Sequence, residues 1–536
     1  MHLAPTVDGA GERTMSMTRR LQTASTLARA NLGLFERPDR MALAMVSAAP
    51  WGQSAIAALA SSVARDPGRA AVVDDDGTLS YRDLWKRSDA VARELVGLGA
   101  GRGVPVGLLA RDHRAFVEVL VAVSKTGADL VLLNTGFAGP QVAEVVESEG
   151  ISILIHDHEF APAVEPCRAL CTLVDMSTAG AMARRGGTVL PTRHQGRTVI
   201  LTSGTTGRPK GAARSVGSGA LEGVAALLSR IPLRARDVQV VAAPLFHAWG
   251  LSHLLLGLGR CATTIVAPRF DAAATLERVS RERARVLVVV PVMLRRMLAL
   301  EPEQLVAADT SALRVIAASG SALGSQLANA VADRWGPVLY NTYGSTEVAV
   351  ASVASPSDLR RHPATVGRPA PGVRVEILDD EGEPVPNGTV GRIFVGNAAR
   401  FDGYTGGGGK EVQRGLLCSG DVGHFDEDQY LYVDGRDDDM IVSGGENVFP
   451  AEVEDLLAHH PDIVEAAVVG VADPEFGQAL AAYVVRRPGA EPDGPAVKRY
   501  VRDNLARFKA PKHVHFLDEL PRNQTGKIVK RLLGTR

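Results

Sequence analysis

Between residues 80 and 340, short apolar runs alternate with longer stretches in which apolar residues recur at helical spacing. The stretch from Ser80 to Gly97 is typical of these helices, because a capping residue begins it and a glycine lies at its end. Apolar runs separated by helices are characteristic of parallel sheets that are covered on both faces. The pattern therefore predicts an α/β fold, with strands in the runs at 104–109, 151–155, 240–243, 286–290 and 315–318.

The pattern changes after Gly367, where apolar runs at 373–378 and 390–395 flank a stretch rich in turn residues. This spacing predicts antiparallel hairpins and hence a small β subdomain at about 365–435. The chain beyond it has apolar runs and a helical pattern of its own, which predicts a small α+β C-terminal domain. The expected organisation is an N-terminal extension at 1–50, a large domain of two α/β sheet subdomains plus the β subdomain at 51–435, and a C-terminal domain at 439–536.

The composition of the chain excludes several classes of protein. Hydrophobic residues make up 46% and charged residues 22% of the chain, which is ordinary for a globular protein and excludes disorder as the main state. Lys and Arg number 59 against 60 Asp and Glu, so no global positive charge attracts nucleic acid. Four cysteines in 536 residues do not make a disulfide framework. No apolar run reaches the roughly 18 residues of a membrane span, so a cytoplasmic monomer or homodimer is expected.

The first fifty residues contain several arginines among Leu and Ala, without the apolar block of a secretory signal. We expect a loosely docked extension there. Peripheral membrane contact through a surface helix is the alternative.

The densest chemical signal follows the apolar residues 198–201 and leads to Lys210. Its glycines and hydroxyl residues let backbone N–H groups and side-chain donors wrap phosphate oxygens, and the lysine adds positive charge. A Walker A loop is excluded, because Pro209 precedes the lysine and Gly211 follows it. The segment is a candidate triphosphate loop, with a solvated flexible loop as the alternative, and its other members are Thr202, Ser203, Gly204, Thr205, Thr206 and Gly207.

A second signal is the segment Asn341-Thr342-Tyr343-Gly344-Ser345-Thr346-Glu347. It combines an aromatic ring that can lie against a base, a hydroxyl that can reach a phosphate, and a carboxylate suited to Mg²⁺. A third is Ser419-Gly420-Asp421, whose carboxylate could accept hydrogen bonds from ribose hydroxyls, followed by the charged turn around Arg436. The fourth is Lys527 on a glycine turn, which alone would be a surface feature.

In this order and at these separations, the four segments resemble the adenylate-forming superfamily of acyl-CoA synthetases, luciferases and peptide-synthetase adenylation domains. The resemblance runs from about residue 50 to the end of the chain. The segment 244–250, with His247 and Trp249, is similar to the aromatic motif beside that family's acyl pocket. The segment 443–452 is typical of its acyl-CoA ligase branch.

The resemblance implies a two-step reaction with ATP, Mg²⁺ and coenzyme A. The carboxylate of an acid attacks the α-phosphate to give an acyl-adenylate and pyrophosphate, and the CoA thiol then displaces AMP. Lys527 would lie between the two negative reactants, where a cation lowers the barrier. No acid–base dyad is needed, because a carboxylate is already the nucleophile.

The resemblance also implies roles for single residues. Thr202 to Lys210 would hold the β- and γ-phosphates, Glu347 and Thr205 the Mg²⁺, and Thr346 the α-phosphate. Tyr343 and the segment Gly320-Ser321-Ala322 would sandwich adenine, with Asn341 and Gly344 beside them, while Asp421 and Arg436 would hold the ribose. His247 would line or gate the acyl pocket and Trp249 its tunnel. A hinge at 436–438, centred on Asp438, would let the mobile C-terminal domain rotate, bringing Gly444 and Gly445 toward the pantetheine arm.

The sequence departs from the family's pattern at 403–417, which contains a glycine run, and at Cys418. We expect Gly406–Gly409 to form an exposed loop rather than a phosphate cradle. Neither departure removes a reacting group.

The acid is the least determined part of this interpretation. Aromatic residues make up 5% of the chain, and the aliphatic stretch 251–256 follows His247, which favours a medium- or long-chain fatty acid. The alternatives are an aryl-CoA ligase and a fatty-acyl-AMP ligase that loads a carrier protein. A nucleotide-binding protein without ligase activity is a third hypothesis, which the presence of Lys527, Glu347 and Asp421 disfavours.

Overall fold

The computed structural model describes residues 38–533, except 186, 193, 204–208, 215–217, 400–401, 438–440, 444–445, 474–476, 506–508 and 524–525. Its helices, α1 to α16 in chain order, are Pro38–Ala48, Ala55–Arg65, Tyr81–Gly97, Arg114–Thr126, Gly139–Ser148, Ala161–Val164, Met176–Arg184, Ser218–Arg230, Ala248–Gly259, Ala272–Arg281, Pro291–Leu298, Pro302–Ala307, Ser325–Trp335, Pro356–Arg361, Pro450–Ala458 and Gly494–Asn504.

The strands, β1 to β26, are Ala70–Asp74, Gly77–Ser80, Pro105–Leu109, Asp129–Leu132, Ile153–His156, Thr172–Asp175, Thr198–Ser203, Pro209–Arg214, Val238–Val241, Thr263–Ile265, Val286–Val289, Val315–Ala318, Leu339–Ser345, Ala349–Ala354, Arg368–Pro369, Arg374–Leu378, Gly391–Gly396, Gly403–Tyr404, Val412–Gln413, Leu416–Phe425, Leu431–Arg436, Ile441–Ser443, Glu446–Val448, Ile463–Asp473, Gly477–Arg486 and His513–Leu517.

Two large sheets with helices packed against them form most of the chain. One has the strand order β15-β14-β13-β12-β11-β9-β10-β1-β2, and the other has the order β18-β8-β7-β4-β3-β5-β6. Their central strands are parallel, as the apolar runs predict. Strands β2, β8, β14, β15 and β18 are antiparallel to their neighbours at the edges. Strands β7 and β8, like β13 and β14, follow one another too closely in sequence for the crossover that a parallel pair needs.

Two smaller antiparallel units follow. Strands β16, β17, β19, β20 and β21 form the β subdomain. Beyond it, β22 to β26 form a sheet in which only β26 pairs in parallel, with helices α15 and α16 beside it. The predicted α/β class, with a large N-terminal domain and a small C-terminal domain, is confirmed.

The capping residue and the last residue of helix α3 agree with the sequence prediction. The Ser80 hydroxyl accepts the N–H of Asp83 and begins α3, which ends at Gly97. Helix α1 belongs to the N-terminal extension, and Arg40 on it donates to the carbonyl of Arg65 on α2 at 3.3 Å. Residues 1–37 lie outside the described part of the chain. No helix among the described residues is long and apolar enough to cross a membrane.

Candidate active site

The ends of four neighbouring strands form one wall of the site. Strands β9, β11, β12 and β13 are parallel, so their carboxyl ends meet at one edge of the large sheet. A Cβ added to Gly320, just after β12, would lie 3.4 Å from Val290, just after β11. The indole N–H of Trp249 donates to the carbonyl of Val289 at 3.2 Å. The predicted acyl motif and part of the predicted adenine segment therefore lie at the same sheet edge.

Strands β7 and β8, which flank the predicted triphosphate loop, pair as an antiparallel hairpin. Thr202 on β7 and Lys210 on β8 are cross-strand partners, and the Thr202 hydroxyl donates to the Lys210 carbonyl at 3.2 Å. Gly204, Thr205, Thr206 and Gly207, and the side chain of Ser203, lie outside the described part of the chain. Their phosphate contacts, and Thr205 as a metal ligand, stay predictions.

Tyr404 joins this hairpin to the predicted metal-binding carboxylate, and the sequence interpretation missed it. Strand β18 pairs with β8, which places the Tyr404 ring centroid 5.6 Å from the Lys210 ammonium. The Tyr404 hydroxyl donates to Oε1 of Glu347 at 3.0 Å. The only sequence signal is an aromatic residue before a glycine run. That signal could not reveal a pairing with a strand some 190 residues earlier. Gly406–Gly409 form an exposed loop, as predicted.

Glu347 has the surroundings of a cation ligand. It is buried, and its Oε2 accepts the Ser345 hydroxyl at 2.9 Å, which leaves lone pairs on both carboxylate oxygens. No described Lys or Arg forms an ion pair with it. A buried carboxylate without a contacting cation fits Mg²⁺, which prefers oxygen ligands. Thr346 lies beside it in the turn between β13 and β14.

Tyr343, Asp421 and Arg436 form a hydrogen-bonded chain where the ribose is expected. The Tyr343 hydroxyl donates to Oδ2 of Asp421 at 2.6 Å, and Arg436 donates to Oδ1 at 3.3 Å across the β20–β21 pair. Burial raises the pKa of Asp421, although Tyr343, Arg436 and Lys527 act to lower it. Burial and the neighbouring carboxylate raise the pKa of Tyr343, so the phenol stays protonated and donates.

The other predicted adenine residues differ in exposure. Gly320, Ser321 and Ala322 are exposed after β12, whereas Asn341 on β13 is buried. At Gly344 a Cβ would lie 1.9 Å from the carbonyl of Ala349, so a side chain does not fit there.

The loop that carries Lys527 is braced from within the C-terminal domain. The Lys527 N–H donates to the side chain of Asn523 at 2.9 Å. Arg522 donates to the Gly526 carbonyl at 2.7 Å and forms an ion pair with Glu465. Gly526 has a φ of +79°, and a Cβ there would lie 2.2 Å from Val292 on α11. Glycine is therefore required for the close approach to the large domain.

Lys527 faces the predicted nucleotide residues from across the domain boundary. The residue is exposed to solvent, and its ammonium lies within range of the charges of Asp421, Glu347 and Arg436. The surrounding protein lowers the pKa of its ammonium, Asp421 and Glu347 act to raise it, and Arg436 acts to lower it. The His459 ring and the Ser325 hydroxyl, 3.1 Å apart, also join the two domains. In this conformation the C-terminal domain is closed over the site.

His247 is a neutral side chain beside Lys527. Burial, and then the charge of Lys527, lower the pKa of His247 to about 3. Its ring packs on Phe246 with centroids 4.4 Å apart, and its buried Nε2 has no hydrogen-bond partner among the described residues. Nε2 of His247 is therefore a buried polar atom without a hydrogen-bond partner among the described residues, at the boundary of an apolar core.

Asp112 holds the segment that leads to His247, and no sequence motif marks it. Its carboxyl oxygens lie 3.1 and 3.3 Å from the Leu245 nitrogen, whose N–H donates to them. Burial raises the pKa of Asp112 to about 7, while the Leu245 N–H and the charges of His113 and Arg111 act to lower it. This carboxyl belongs to a different sheet subdomain from Leu245, so local sequence could not predict the contact.

Only part of the predicted hinge, and neither of the predicted CoA-binding glycines, lies within the described part of the chain. Asp438, Gly444 and Gly445 lie outside the described part of the chain. Asp437, within the predicted hinge, accepts a hydrogen bond from Arg392 at 3.1 Å. The structure thus brings Tyr343, Asp421, Arg436, Glu347, Lys527 and His247 around one cleft, and their roles stay predictions.

Family comparisons agree with this geometry. The family model of the AMP-binding enzyme matches residues 59–405. The model of the AMP-binding enzyme C-terminal domain matches residues 452–527.

Two relatives and one solved structure are similar over most of the chain. An indoleacetate–CoA ligase of Aromatoleum aromaticum is 35% identical over 485 residues, covering 87% of this chain and 94% of that protein. The fatty acid–[acyl-carrier-protein] ligase ScoC of Streptomyces coeruleorubidus is 32% identical, covering 88% of this chain and 94% of that protein. The anthranilate CoA ligase AuaEII in complex with anthranoyl-AMP has a TM-score of 0.82 at 26% identity, covering 90% of this chain and 97% of that chain.

Proposed function

The chain belongs to the AMP-binding enzyme family, within the adenylate-forming superfamily, and from this premise we propose that it joins an aromatic carboxylic acid to coenzyme A. At the coarser level it is an ATP-dependent acid–CoA ligase that acts through an adenylate. The aromatic acid is the finer proposal, and it replaces the fatty acid as the preferred substrate class.

Lys527 is the residue that we propose for the first step. An oxygen of the acid's carboxylate attacks the α-phosphorus of ATP, and the bond to the pyrophosphate oxygen breaks. The ammonium in the cleft stabilises the negative charge that gathers there. Mg²⁺ held by Glu347 would offset the charge on the phosphates.

The second step requires Lys527 to move away from the reacting atoms. The sulfur of CoA attacks the carbonyl carbon of the adenylate, the carbon–oxygen bond of the acyl–phosphate anhydride breaks, and AMP departs with that oxygen while the proton of the thiol is released to solvent. A closed C-terminal domain obstructs the approach of the thiol, so we propose that this domain rotates about Asp438 between the steps. Gly444 and Gly445 would then line the path of the pantetheine arm.

Close packing of α9 against the large sheet is the observation that carries the aromatic proposal. A Cβ at Gly250 would lie 2.4 Å from the carbonyl of Ala243, and one at Gly257 would lie 2.3 Å from Gln239. The Trp249 ring meets the His253 ring edge-on with centroids 4.2 Å apart. Helix α9 therefore lies close against the sheet with little space beneath it, which supports a compact, flat acid over a long chain.

The leucines of the stretch 251–256 also support a compact, flat acid. Leu251 and Leu254 are buried in the main hydrophobic core, where they pack against other protein side chains. The indoleacetate and anthranilate ligases among the similar proteins are named for aromatic acids. The second candidate is a fatty acid, and its specific support is the similarity to ScoC.

A panel of acids tests the proposal. Pyrophosphate release is measured with indole-3-acetate, 4-hydroxycinnamate, benzoate, hexanoate, octanoate and palmitate, each with and without CoA, and products are identified by mass spectrometry. We expect an aromatic acid to give the highest kcat/KM and a CoA thioester as product. A higher kcat/KM for a fatty acid would favour the second candidate. Accumulation of acyl-AMP without thioester would point to a carrier protein as acceptor.

A further inference from the structure

Arg392 on β17 binds side chains from three separate segments of the chain. Its Nε donates to Oδ2 of Asp437 at 3.1 Å, and its two terminal nitrogens donate to the carboxylate of Glu411, one of them at 3.4 Å. One terminal nitrogen also donates to the sulfur of Cys418 on β20 at 3.6 Å. Glu411 precedes β19, and Asp437 directly follows β21. A single guanidinium in the β subdomain therefore holds the first residue beyond the last strand of that subdomain.

Asp437 lies where the strand pairing of the large domain ends. Its neighbour Arg436 is still paired with Asp421 across β20 and β21. Asp437 lies beyond that pairing, and its side chain contacts the large domain through Arg392. Arg392 thus fixes the residue at which the predicted hinge continues towards the C-terminal domain.

The ion pair between Arg392 and Asp437 can open at little cost. When Asp437 moves away, Arg392 keeps the carboxylate of Glu411, so the charge of the guanidinium stays neutralised. The side chain of Asp437 is 40% exposed, so water can replace the guanidinium there. An ion pair near the surface contributes only modestly to stability. This arrangement suits a contact that forms and breaks in each turnover.

The pair is formed while the C-terminal domain is closed over the site, as the contact between His459 and Ser325 across the domain boundary indicates. A contact that is present in one conformation and absent from another shifts the equilibrium towards the first. A rotation that includes the φ angle of Asp437 moves its carboxylate away from Arg392. The pair therefore favours the closed conformation.

We propose that Arg392 is a positioning residue that holds Asp437 while the C-terminal domain is closed for adenylation, and that this ion pair opens when the domain rotates for thioester formation. The inference rests on the proposed function, in which the closed domain serves the first step and the rotated domain serves the second. Arg392 acts through Asp437 and not on the reacting atoms. Glu411 competes with Asp437 for the same guanidinium, so Glu411 weakens the hold on the hinge.

Variants of the pair and a matched control test the inference. Arg392→Gln and Asp437→Asn each remove one charge of the pair, and a double variant removes both. Glu411→Gln removes the competing charge and leaves the pair. Arg374→Gln is the control, because Arg374 lies on the neighbouring strand β16 and forms an ion pair with Glu376 at 2.8 Å.

Each protein is assayed in both half-reactions, with the acid that the wild type activates fastest. Adenylation is measured by ATP–pyrophosphate exchange, and the second step by thioester formation from supplied acyl-AMP and CoA. The readout is the ratio of the thioester rate to the exchange rate, which follows the ratio of rotated to closed molecules. Thermal unfolding checks that each variant is folded.

We expect Arg392→Gln and Asp437→Asn each to raise this ratio by about two- to fivefold, the range of a surface ion pair. The double variant should match the single variants, because all three remove the same contact. Glu411→Gln should lower the ratio, because Arg392 is then left to Asp437. The control Arg374→Gln should leave the ratio unchanged.

Two results would overturn the inference. One is an unchanged ratio in Arg392→Gln, including equal losses in both half-reactions, which is what a merely structural arginine gives. The other is a double variant in which the effects of the single variants multiply, because the two side chains then act independently. If Arg392→Gln does not fold, the opposite shifts expected for Asp437→Asn and Glu411→Gln decide.

Asp438→Pro separates this inference from the proposed function. Proline fixes φ at the proposed hinge, so this variant should lose the thioester half-reaction. If it retains that half-reaction, the proposed rotation is wrong and this inference falls with it. If it loses that half-reaction while Arg392→Gln leaves the ratio unchanged, only the role of Arg392 is wrong. If the wild type forms no thioester with CoA, the proposed acceptor is wrong, and an unchanged exchange rate in Arg392→Gln overturns this inference.

Discussion

The nucleotide end and the acid end of the cleft differ in how their polar groups are satisfied. At the nucleotide end, Tyr343 and Arg436 hold Asp421, and Tyr404 holds Glu347. At the acid end, the buried Nε2 of His247 has no hydrogen-bond partner among the described residues. ATP is the same in every turnover, so its site can be preorganised by the protein. Under the proposed function the acid is the substrate that differs among the similar ligases, so the acid end is where selectivity would be set.

Lys527 lies between the nucleotide end and the acid end, so replacing this residue should have the largest effect on activity. Lys527→Ala should lower adenylation, measured by ATP–pyrophosphate exchange, by roughly 10²-fold or more, because a charge at the transition state is lost. Thioester formation from supplied acyl-AMP and CoA should be nearly unchanged. Lys86→Ala, at an exposed position on α3, serves as the control. Equal losses in both half-reactions would show that Lys527 is merely structural.

The two ends were also unequally predictable from sequence. Tyr343, Glu347, Asp421 and Lys527 lie in compact motifs whose residue types indicate their chemistry. Tyr404 and Asp112 act through contacts between segments far apart in the chain, which no local pattern contains. The α/β class followed from the apolar runs, whereas the antiparallel edges did not, because periodicity does not give strand direction.

The fatty-acid expectation rested on the leucines after His247, a pattern that does not by itself distinguish a fatty acid from an aromatic acid. A leucine-rich helix that lines a tunnel and one that packs into a core have the same pattern. Only the tertiary contacts of Trp249, Gly250 and Gly257 distinguish the two.

Tyr404→Phe should have the next largest effect, at the nucleotide end. It removes the hydrogen bond to Glu347, and a hydrogen bond to a charged group is worth about 1.5–3 kcal/mol, or roughly tenfold or more in rate. We expect a higher Mg²⁺ requirement in ATP–pyrophosphate exchange and no change in the preference among acids. Tyr500→Phe, in the C-terminal domain, is the control. An unchanged Mg²⁺ dependence would mean that Tyr404 does not position the carboxylate.

Trp249→Leu should act only at the acid end. It removes the indole hydrogen bond to Val289 and opens space under α9. The kcat/KM for octanoate relative to the best aromatic acid should rise by roughly tenfold, the scale at which a change of a few carbon atoms is discriminated in an apolar pocket. The KM for ATP should stay the same. If the preference between the acids does not move, Trp249 does not limit the length of the pocket.

Asp112→Asn should have the smallest effect, on stability. The pKa of Asp112 is about 7 in the folded protein and near 3.8 in the unfolded chain, so ionisation favours unfolding as the pH rises between these values. The wild type therefore loses stability over this window, and the asparagine variant does not. The Tm advantage of the variant should grow by several degrees between pH 4 and pH 8. A Tm difference independent of pH would contradict the buried, protonated carboxyl.

The most direct test of the account is a competition for one enzyme. The wild-type protein is given ATP, Mg²⁺, CoA and an equimolar mixture of indole-3-acetate, 4-hydroxycinnamate, octanoate and palmitate, and the CoA thioesters formed early in the reaction are quantified by mass spectrometry. We predict that the thioester of an aromatic acid dominates, with both fatty acyl thioesters below it. A dominant octanoyl or palmitoyl thioester would contradict it.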